Sequence, residues 1–290
     1  MIDWPPDLVE DIAARRCVLF LGAGVSKNSK NQRGERPMDW VEYLNLLATK
    51  IADPGQRTEV EACIQAFDLL TACELARRFL RPDQFKRILI EEFLDKRFEP
   101  ADIHDDIIMT DSRFVLTTNF DKLYENRANQ IQQNTVLVKN YYDTDVADVF
   151  RRSQRVVLKV HGTIDSPDKT IFTRSDYAMA RTQYSHFYEL LNSLFVTHTF
   201  IFLGASLRDP DMQILLENHR YRFEGSRPHY IMMPKDTTRV GQLHVMEESM
   251  NLRVLLYTPQ DNHAELAASL QALVPLVEAE RENLTLTRNW

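Results

Sequence analysis

The apolar residues of this chain fall into two patterns, short continuous runs and longer segments with helical spacing. Seven of the short runs end in glycine or polar residues, which is typical of strands buried on both faces of a parallel sheet. They are CVLFL, RFVLTTNFD, TVLVKN, RVVLKVHG, TFIFLGAS, HYIMMPKD and NLRVLLYTP. Because several of them are separated by helical segments, the pattern predicts an α/β fold with a central, mainly parallel sheet.

One interval, residues 38–110, interrupts the alternation of strand and helix. Its apolar residues recur at helical spacing, and DPGQ and RPDQ mark breaks between helices. We interpret it as a helical insert or cap between the start of the sheet domain, residues 1–37, and the remainder of that domain, residues 111–260. Residues 261–290 are predicted to form a C-terminal helix and tail, and YSHFYELLNSLFVTHT predicts a further helix.

The composition narrows the class of protein. Of 290 residues, 44% are hydrophobic and 27% are charged, ordinary values for a soluble globular protein. The net charge of -7 gives no support to a broad basic surface for nucleic acid, and no apolar run is long enough to cross a bilayer. The chain starts acidic and proline-bearing, unlike a signal peptide, so we expect a cytoplasmic protein without a membrane or nucleic-acid partner. Three scattered cysteines without a CxxC pair predict no disulfide framework and no metal site.

The first strand runs directly into GAGVS, a sequence that suits a phosphate. Gly22 and Gly24 lack the Cβ atoms that would keep a ligand away from the backbone, and Ser26 could cap the following helix or bind the ligand. The turn does not complete the dehydrogenase fingerprint, because Lys27 stands where the third glycine would be. Nor can the P-loop pattern GxxxxGK[ST] be fitted around it. The turn therefore predicts a phosphate-binding site. The incomplete dehydrogenase fingerprint disfavours ordinary hydride transfer as the reaction.

Polar residues follow three more strands, at the edge of the sheet where α/β proteins bind ligands. VLTTNFD carries Asn119 and Asp121, LKVHG carries His161, and FLGASLRDPDM repeats the glycine turn at Gly204. Each has a structural alternative: an Asx turn or helix cap at Asp121, a turn histidine with a satisfied ring, and a glycine needed only for packing. Together, a phosphate cradle, a carboxamide and an imidazole at one edge predict a dinucleotide whose reactive carbon lies near Asn119 and His161.

These motifs, in this order, resemble those of the sirtuin superfamily. The similar segments are GAGVS at 22–26, TTNFD at 117–121, HG at 161–162 and GAS at 204–206. The resemblance implies a Rossmann-like sirtuin fold, NAD as the substrate, and a catalytic role for Asn119 and His161. It also implies that NAD is bound by Gly22, Ala23, Gly24, Ser26, Thr118, Asp121, Gly204 and Ser206.

The chain departs from the deacetylase sirtuins in two places. The region after His161 contains no cysteine, so the zinc ribbon is missing, and the resemblance does not extend to the cleft for an acyl-lysine peptide. In place of GIPDFR the chain has PMDW, with Pro37 and Trp40. PMDW, LRDPDM and TIFTRSDY resemble the bacterial sirtuin-like effectors of antiphage defence. Members of that group hydrolyse NAD without deacylation, some of them together with a HerA-type ATPase, and the short stand-alone kind matches this length.

The resemblance therefore implies an NAD+ glycohydrolase (NADase) that releases nicotinamide and ADP-ribose and depletes NAD+ in abortive-infection defence. Asn119 would fix water or ribose hydroxyls and face the developing positive charge, and His161 would accept a proton from water or from a ribose hydroxyl. Asp121 would bind ribose or hold Asn119, and Lys27 would contact phosphate or stay solvated. A homo-oligomer and a HerA-type ATPase partner are also implied. Two alternatives stay open: a non-catalytic NAD or ADP-ribose-binding sensor or scaffold, and a protein deacylase or ADP-ribosyltransferase.

Overall fold

The computed structural model describes residues 1–235 and 239–287. Its strands are β1 (Cys17–Leu21), β2 (Phe114–Thr117), β3 (Leu137–Asn140), β4 (Val156–Lys159), β5 (Thr199–Leu203), β6 (His229–Pro234) and β7 (Leu252–Tyr257). They form one sheet in the order β3-β4-β2-β1-β5-β6-β7, and every pairing is parallel. Each strand lies inside one of the seven apolar runs, so the predicted α/β fold with a central parallel sheet is confirmed.

Helices flank the sheet on both faces and fill the interval between β1 and β2. They are α1 (Pro6–Ala13), α2 (Ala23–Ser26), α3 (Trp40–Thr49), α4 (Pro54–Gln65), α5 (Leu69–Phe79), α6 (Pro82–Ile90), α7 (Asp102–Met109), α8 (Leu123–Ile131), α9 (Arg174–Gln183), α10 (Ser185–Thr197), α11 (Pro210–Arg222), α12 (Val240–Met250) and α13 (Gln260–Thr287). A π-helical turn, Glu91–Asp95, continues α6. Within the described residues, no helix combines the length and the apolar character needed to span a membrane. The end of the predicted tail, 288–290, lies outside the described residues.

Alternate residues of the inner strands face opposite sides of the sheet and build two separate cores. In β1, Cys17, Leu19 and Leu21 pack with α1, α7 and α13. Val18 and Phe20 point the other way and pack with α9, α10 and α11. Because both faces are covered, all five positions are buried, which explains the continuous apolar run of the sequence.

Adjacent strands β1 and β5 mark the place where the chain connections change direction. β1 is followed in sequence by β2, its neighbour on one side, whereas β5, its neighbour on the other side, is followed by β6. The chain therefore leaves β1 and β5 toward opposite halves of the sheet, which opens a crevice beyond their carboxyl ends. GAGVS follows β1 and GAS follows β5, so both glycine turns border this crevice.

The helices of the interval 38–110 build a hydrophobic cluster of their own. Helices α3 to α6 pack around buried side chains that include Tyr43 and Leu47. Proline starts two of these helices, α4 at Pro54 and α6 at Pro82, so DPGQ and RPDQ separate helices as predicted. Helix α7 instead packs on the sheet with α1 and α13. The predicted domain boundaries themselves stay predictions.

Candidate active site

One cavity of about 1400 Å³ lies beyond the carboxyl ends of β1, β2, β4 and β5. Its walls include every residue to which the sequence assigns catalysis or NAD binding, namely Gly22, Ala23, Gly24, Ser26, Thr118, Asn119, Asp121, His161, Gly204 and Ser206. Four motifs that are distant in sequence therefore converge on one space. That space is larger than the range of about 300–1000 Å³ common for small-molecule sites, so it has room for a dinucleotide.

The two glycine turns pack against each other as well as bordering the cavity. The Gly22 amide donates to the Leu203 carbonyl at 2.9 Å. The Gly24 amide donates to the Gly204 carbonyl, also at 2.9 Å. A Cβ on Gly204, where φ is +59°, would lie 2.5 Å from the nitrogen of Val25. The close contact between the turns therefore requires glycine at position 204. The amides of Gly22 and Gly24, which the sequence suggests for phosphate binding, already donate to protein carbonyls.

Hydrogen bonds fix the orientation of the Asn119 carboxamide. Its Nδ2 donates to the Gly22 carbonyl at 3.0 Å and to Ser26 Oγ at 2.9 Å. The backbone is held as well, because the Asn119 amide donates to Thr117 Oγ1 at 3.1 Å. Since both hydrogens of the carboxamide have protein acceptors, Oδ1 is the atom left for the cavity. Asn119 therefore offers a ligand one acceptor of fixed direction.

Asp121 is buried, and both of its oxygens are used within the protein. Oδ2 accepts from Ser26 Oγ at 2.8 Å, and Oδ1 accepts from the Leu123 amide at 3.0 Å. The second bond is the Asx turn that the sequence left as the alternative for this residue. Because the one hydroxyl hydrogen of Ser26 goes to Asp121, Ser26 must accept the bond from Asn119. Ser26 is thus placed to orient Asn119 and has no hydrogen left for a phosphate.

His161, just beyond the end of β4, lies against a mostly buried carboxylate. Its Nε2 is 2.8 Å from Oδ2 of Asp209, although the ring N–H is not aligned for a hydrogen bond. The hydroxyl of Tyr177 donates to the same oxygen at 2.9 Å, and its ring packs edge-on against the imidazole. Burial raises the pKa of Asp209, but the charge of His161 and the hydrogen bonds to the carboxylate outweigh it and lower that pKa. An ionised carboxylate therefore lies beside the imidazole of His161.

Aromatic side chains form one wall of the cavity beside Asn119. Phe120 packs edge-on against Phe93 with 6.0 Å between ring centroids, and Phe93 packs against Tyr43 at 5.2 Å. Trp40 of PMDW lines the same cavity. Phe93 belongs to the π-helical turn, a rare geometry that is frequent at functional sites. The wall offers an apolar surface to an uncharged ring of a ligand.

Basic side chains also border the cavity, and they differ in what they contact. Lys27 Nζ pairs with Asp39 and Glu42 at 2.8 Å each, in the capping box that starts α3. Its charge is therefore engaged by the helix, and the alternative of a freely solvated lysine is not what the structure shows. Arg36 and Arg208 line the cavity without a carboxylate partner among the ion pairs of the described residues. Among the described residues, no group of three or more His, Cys, Asp or Glu side chains is placed to hold a metal ion.

Asp209 is the N-cap of α11, and its Oδ1 accepts from the Met212 amide at 2.9 Å. Its second oxygen contacts His161, which the sequence analysis missed. A capping carboxylate uses one oxygen, and this leaves the other available to a neighbouring strand end. Only the folded structure shows the contact with His161, because β2 and β1 lie between β4 and β5 in the sheet.

Comparison with known proteins finds a family model described as a SIR2-like domain, which matches residues 113–255. This segment begins at the start of β2 and ends within β7. It contains the strand ends that carry Asn119, His161 and Gly204, whereas the first glycine turn lies before it.

Known relatives have names that refer to NAD hydrolysis or to defence. NAD(+) hydrolase ThsA of Enterococcus faecium is 31% identical over 232 residues, which make up 78% of this chain and 45% of the relative. The protein of the same name from Bacillus cereus (strain MSX-D12) is 23% identical over 82% of this chain and 47% of the relative. Defense-associated sirtuin 2 of Bacillus subtilis is 26% identical over 98% of this chain and 27% of the relative. The chain thus spans less than half the length of these relatives.

Proposed function

We propose that this chain, part of which matches the SIR2-like domain, hydrolyses NAD+ to nicotinamide and ADP-ribose. The observation that carries the proposal is the convergence of four strand-end motifs on one cavity. There the oriented carboxamide of Asn119 and the carboxylate-paired imidazole of His161 border the same space. The proposal is supported by relatives that bear the name NAD(+) hydrolase.

The bond to be broken joins the pyridinium nitrogen of nicotinamide to C1′ of a ribose. Nicotinamide leaves as a neutral ring with the electron pair of that bond, so no proton has to be given to it. Positive charge develops on C1′ and the ring oxygen, and Asn119 Oδ1 would stabilise this charge. Water then adds to C1′ and loses a proton. NAD+ and water thereby become nicotinamide, ADP-ribose and one proton.

His161 would act as the general base that accepts this proton, directly from water or through a ribose hydroxyl. Asp209, ionised and next to Nε2, would stabilise the imidazolium that forms. Asp121 would act through Ser26 on the orientation of Asn119. The catalytic residues of the proposal are therefore Asn119 and His161, each held by a carboxylate of the protein.

The remaining cavity residues would bind the parts of NAD that do not react. The aromatic wall around Phe93 would receive nicotinamide and keep water from the leaving group. The diphosphate would lie over the glycine turns, where Arg36 and Arg208 supply positive charge. Thr118 and Ser206 would bind ribose hydroxyls.

The biological setting is proposed from the relatives as well. An enzyme that depletes NAD+ fits antiphage defence, and the name of one relative refers to defence. We propose that the protein acts in the cytoplasm as a homo-oligomer, with a HerA-type ATPase as a partner. Exposed apolar side chains on neighbouring helices, such as Val196 of α10 and Ile214 and Tyr221 of α11, support self-association. Sizing of the protein alone and with the ATPase, with NAD cleavage measured on each fraction, tests this arrangement.

The test of the function is nicotinamide release from NAD+ by the purified protein. Asn119→Ala and His161→Ala should each lower the rate by a factor of about 100 or more, because each removes one electrostatic or acid–base group. Lys139→Ala, which removes an ion pair on the edge strand β3, is the control and should keep the wild-type rate. A His161→Ala variant with wild-type turnover would show that the assigned mechanism is wrong.

The same assay separates the alternatives. Binding of NAD without release of nicotinamide would identify a sensor or scaffold. Release that depends on an acetylated peptide would identify a deacylase, and transfer of ADP-ribose to protein would identify a transferase. Release with water as the only second substrate supports the hydrolase.

A further inference from the structure

A buried ion pair lies beneath the site and takes no part in the reaction proposed above. Lys159, the last residue of β4, has a fully buried side chain, and its Nζ lies 2.8 Å from Oε1 of Glu125. The Glu125 side chain, in the first turns of α8, is only 4% exposed. The same Nζ donates to the main-chain carbonyl of Asp121 at 2.5 Å. Neither side chain lines the cavity.

Stability alone does not account for this pair. Removing two charges from water is unfavourable, and well-packed apolar side chains of similar volume often stabilise a fold as well or better. The cost is visible at Glu125, where burial raises the pKa of the carboxyl against the opposing effect of Lys159. The geometry of the contacts suggests what the pair does instead.

The contacts of Lys159 join the two segments that carry the proposed catalytic residues. Lys159 stands two residues before His161 on the same strand end. Asp121, whose carbonyl accepts from Lys159, stands two residues after Asn119 in the loop between β2 and α8. Strands β2 and β4 are direct neighbours in the sheet. One ammonium group therefore ties the Asn119 loop to the strand that presents His161.

We propose that Lys159 and Glu125 are positioning residues that fix the distance between Asn119 and His161. Lys159 holds the loop by its backbone, and Glu125 holds the ammonium at the start of α8. The inference rests on the proposed NAD hydrolysis, in which Asn119 and His161 act on the same ribose. A misplacement of about 1 Å between reacting groups is enough to lower a rate by about 100-fold.

The experiment replaces both charges by apolar side chains of similar length, in the double variant Lys159→Met/Glu125→Met. Because no unpaired charge is left, the protein should fold with a melting temperature close to that of the wild type. We expect kcat for nicotinamide release to fall at least about tenfold, with KM within about twofold, since the groups that bind NAD are unchanged. The control is Arg152→Met/Asp148→Met, which removes a pair whose side chains are 54% and 49% exposed and should change neither constant.

Hydrogen exchange provides a readout that does not depend on activity. Amides of residues 117–125 should exchange faster in the double variant than in the wild type, while those of β1 and β5 keep their protection. An unchanged kcat, or unchanged protection of this loop, would overturn the proposal. If the wild type releases no nicotinamide, the proposed function fails, and hydrogen exchange alone then decides the role of the pair. Should the double variant not fold, Glu125→Gln, which removes the charge that pairs with Lys159 and keeps the size of the side chain, is expected to speed exchange of residues 117–125 as well, and unchanged protection of this loop would overturn the proposal too.

Discussion

The single hydroxyl hydrogen of Ser26 determines which groups this residue can bind, because it is donated to Asp121. The resemblance to sirtuins implies that Ser26 and Ser206 both bind NAD, and each follows a glycine turn at a strand end. In the structure Ser26 is buried and donates to Asp121 while accepting from Asn119. Ser206 is exposed at the cavity. The two serines of the two turns therefore have different tasks.

Exchanging each serine for alanine should separate these tasks. Ser26→Ala frees the Asn119 carboxamide to rotate, so kcat for nicotinamide release should fall by about tenfold or more with little change in KM. Ser206→Ala removes one contact to the bound ligand and should raise KM by about two- to tenfold with kcat nearly unchanged. Steady-state kinetics of the two variants side by side decide the matter. A Ser26→Ala variant affected only in KM would contradict the assigned role.

The carboxylate of Asp209 should make stability depend on pH. Its pKa in the folded protein is lowered, so ionised Asp209 stabilises the fold above the ordinary aspartate range, and the contribution is lost as the pH falls through about 4 and below. Asp209→Asn removes the charge but keeps a good helix cap. The variant should therefore be less stable than the wild type at pH 5, with a smaller difference at pH 3, as measured by urea unfolding. A difference independent of pH would exclude the ion pair with His161 as its cause.

At the scale of elements, the contact between the two glycine turns fixes the crevice. A Cβ on Gly204 would meet both a left-handed φ and the backbone of the first turn, at 2.5 Å from the Val25 nitrogen. Gly34 has a similar φ of +78° but no heavy atom within 4 Å of a Cβ. Gly34→Ala thus isolates the backbone strain, whereas Gly204→Ala adds the collision.

We expect Gly34→Ala to cost about 1–2 kcal/mol of unfolding free energy, the price of a left-handed alanine. Gly204→Ala should cost clearly more, because the two turns must also move apart. Urea denaturation of both variants provides the comparison, with NAD cleavage as a second measurement. Equal losses of unfolding free energy in the two variants would show that the contact between the turns does not contribute to stability.

The strands and the edge that carries the site follow from local sequence, because a buried parallel strand must be apolar throughout and must end where polar residues begin. What local sequence does not contain is which ends become neighbours. The contact of Gly24 with Gly204 depends on the strand order, which places β5 beside β1. The contact of His161 with Asp209 joins the ends of β4 and β5, which β2 and β1 separate in the sheet. The engagement of Lys27 by the α3 capping box depends in the same way on where the helical interval folds back.

For the whole molecule, the cavity is bordered by both the sheet edge and the helical interval. Trp40 and Phe93 line it on the side of the helices, and Met232 of β6 and Tyr257 of β7 line it as well. A ligand that fills such a space joins parts of the chain that otherwise pack in separate hydrophobic clusters. Binding should therefore stabilise the fold as a whole, and longer ligands should do so more than their fragments.

The His161→Ala variant should bind NAD+ without consuming it. At a ligand concentration of about 100 times Kd, binding contributes about 2.7 kcal/mol, which corresponds to a rise of about 4 °C in melting temperature for a protein of this size. NAD+ and ADP-ribose should both produce such a rise, whereas nicotinamide alone, which reaches only the aromatic end, should produce little at the same concentration. Thermal unfolding followed by dye fluorescence measures all three. If nicotinamide stabilised the variant as much as NAD+ does, the ligand would not extend across the cavity, and the assignment of the glycine turns and arginines to the diphosphate would fail with it.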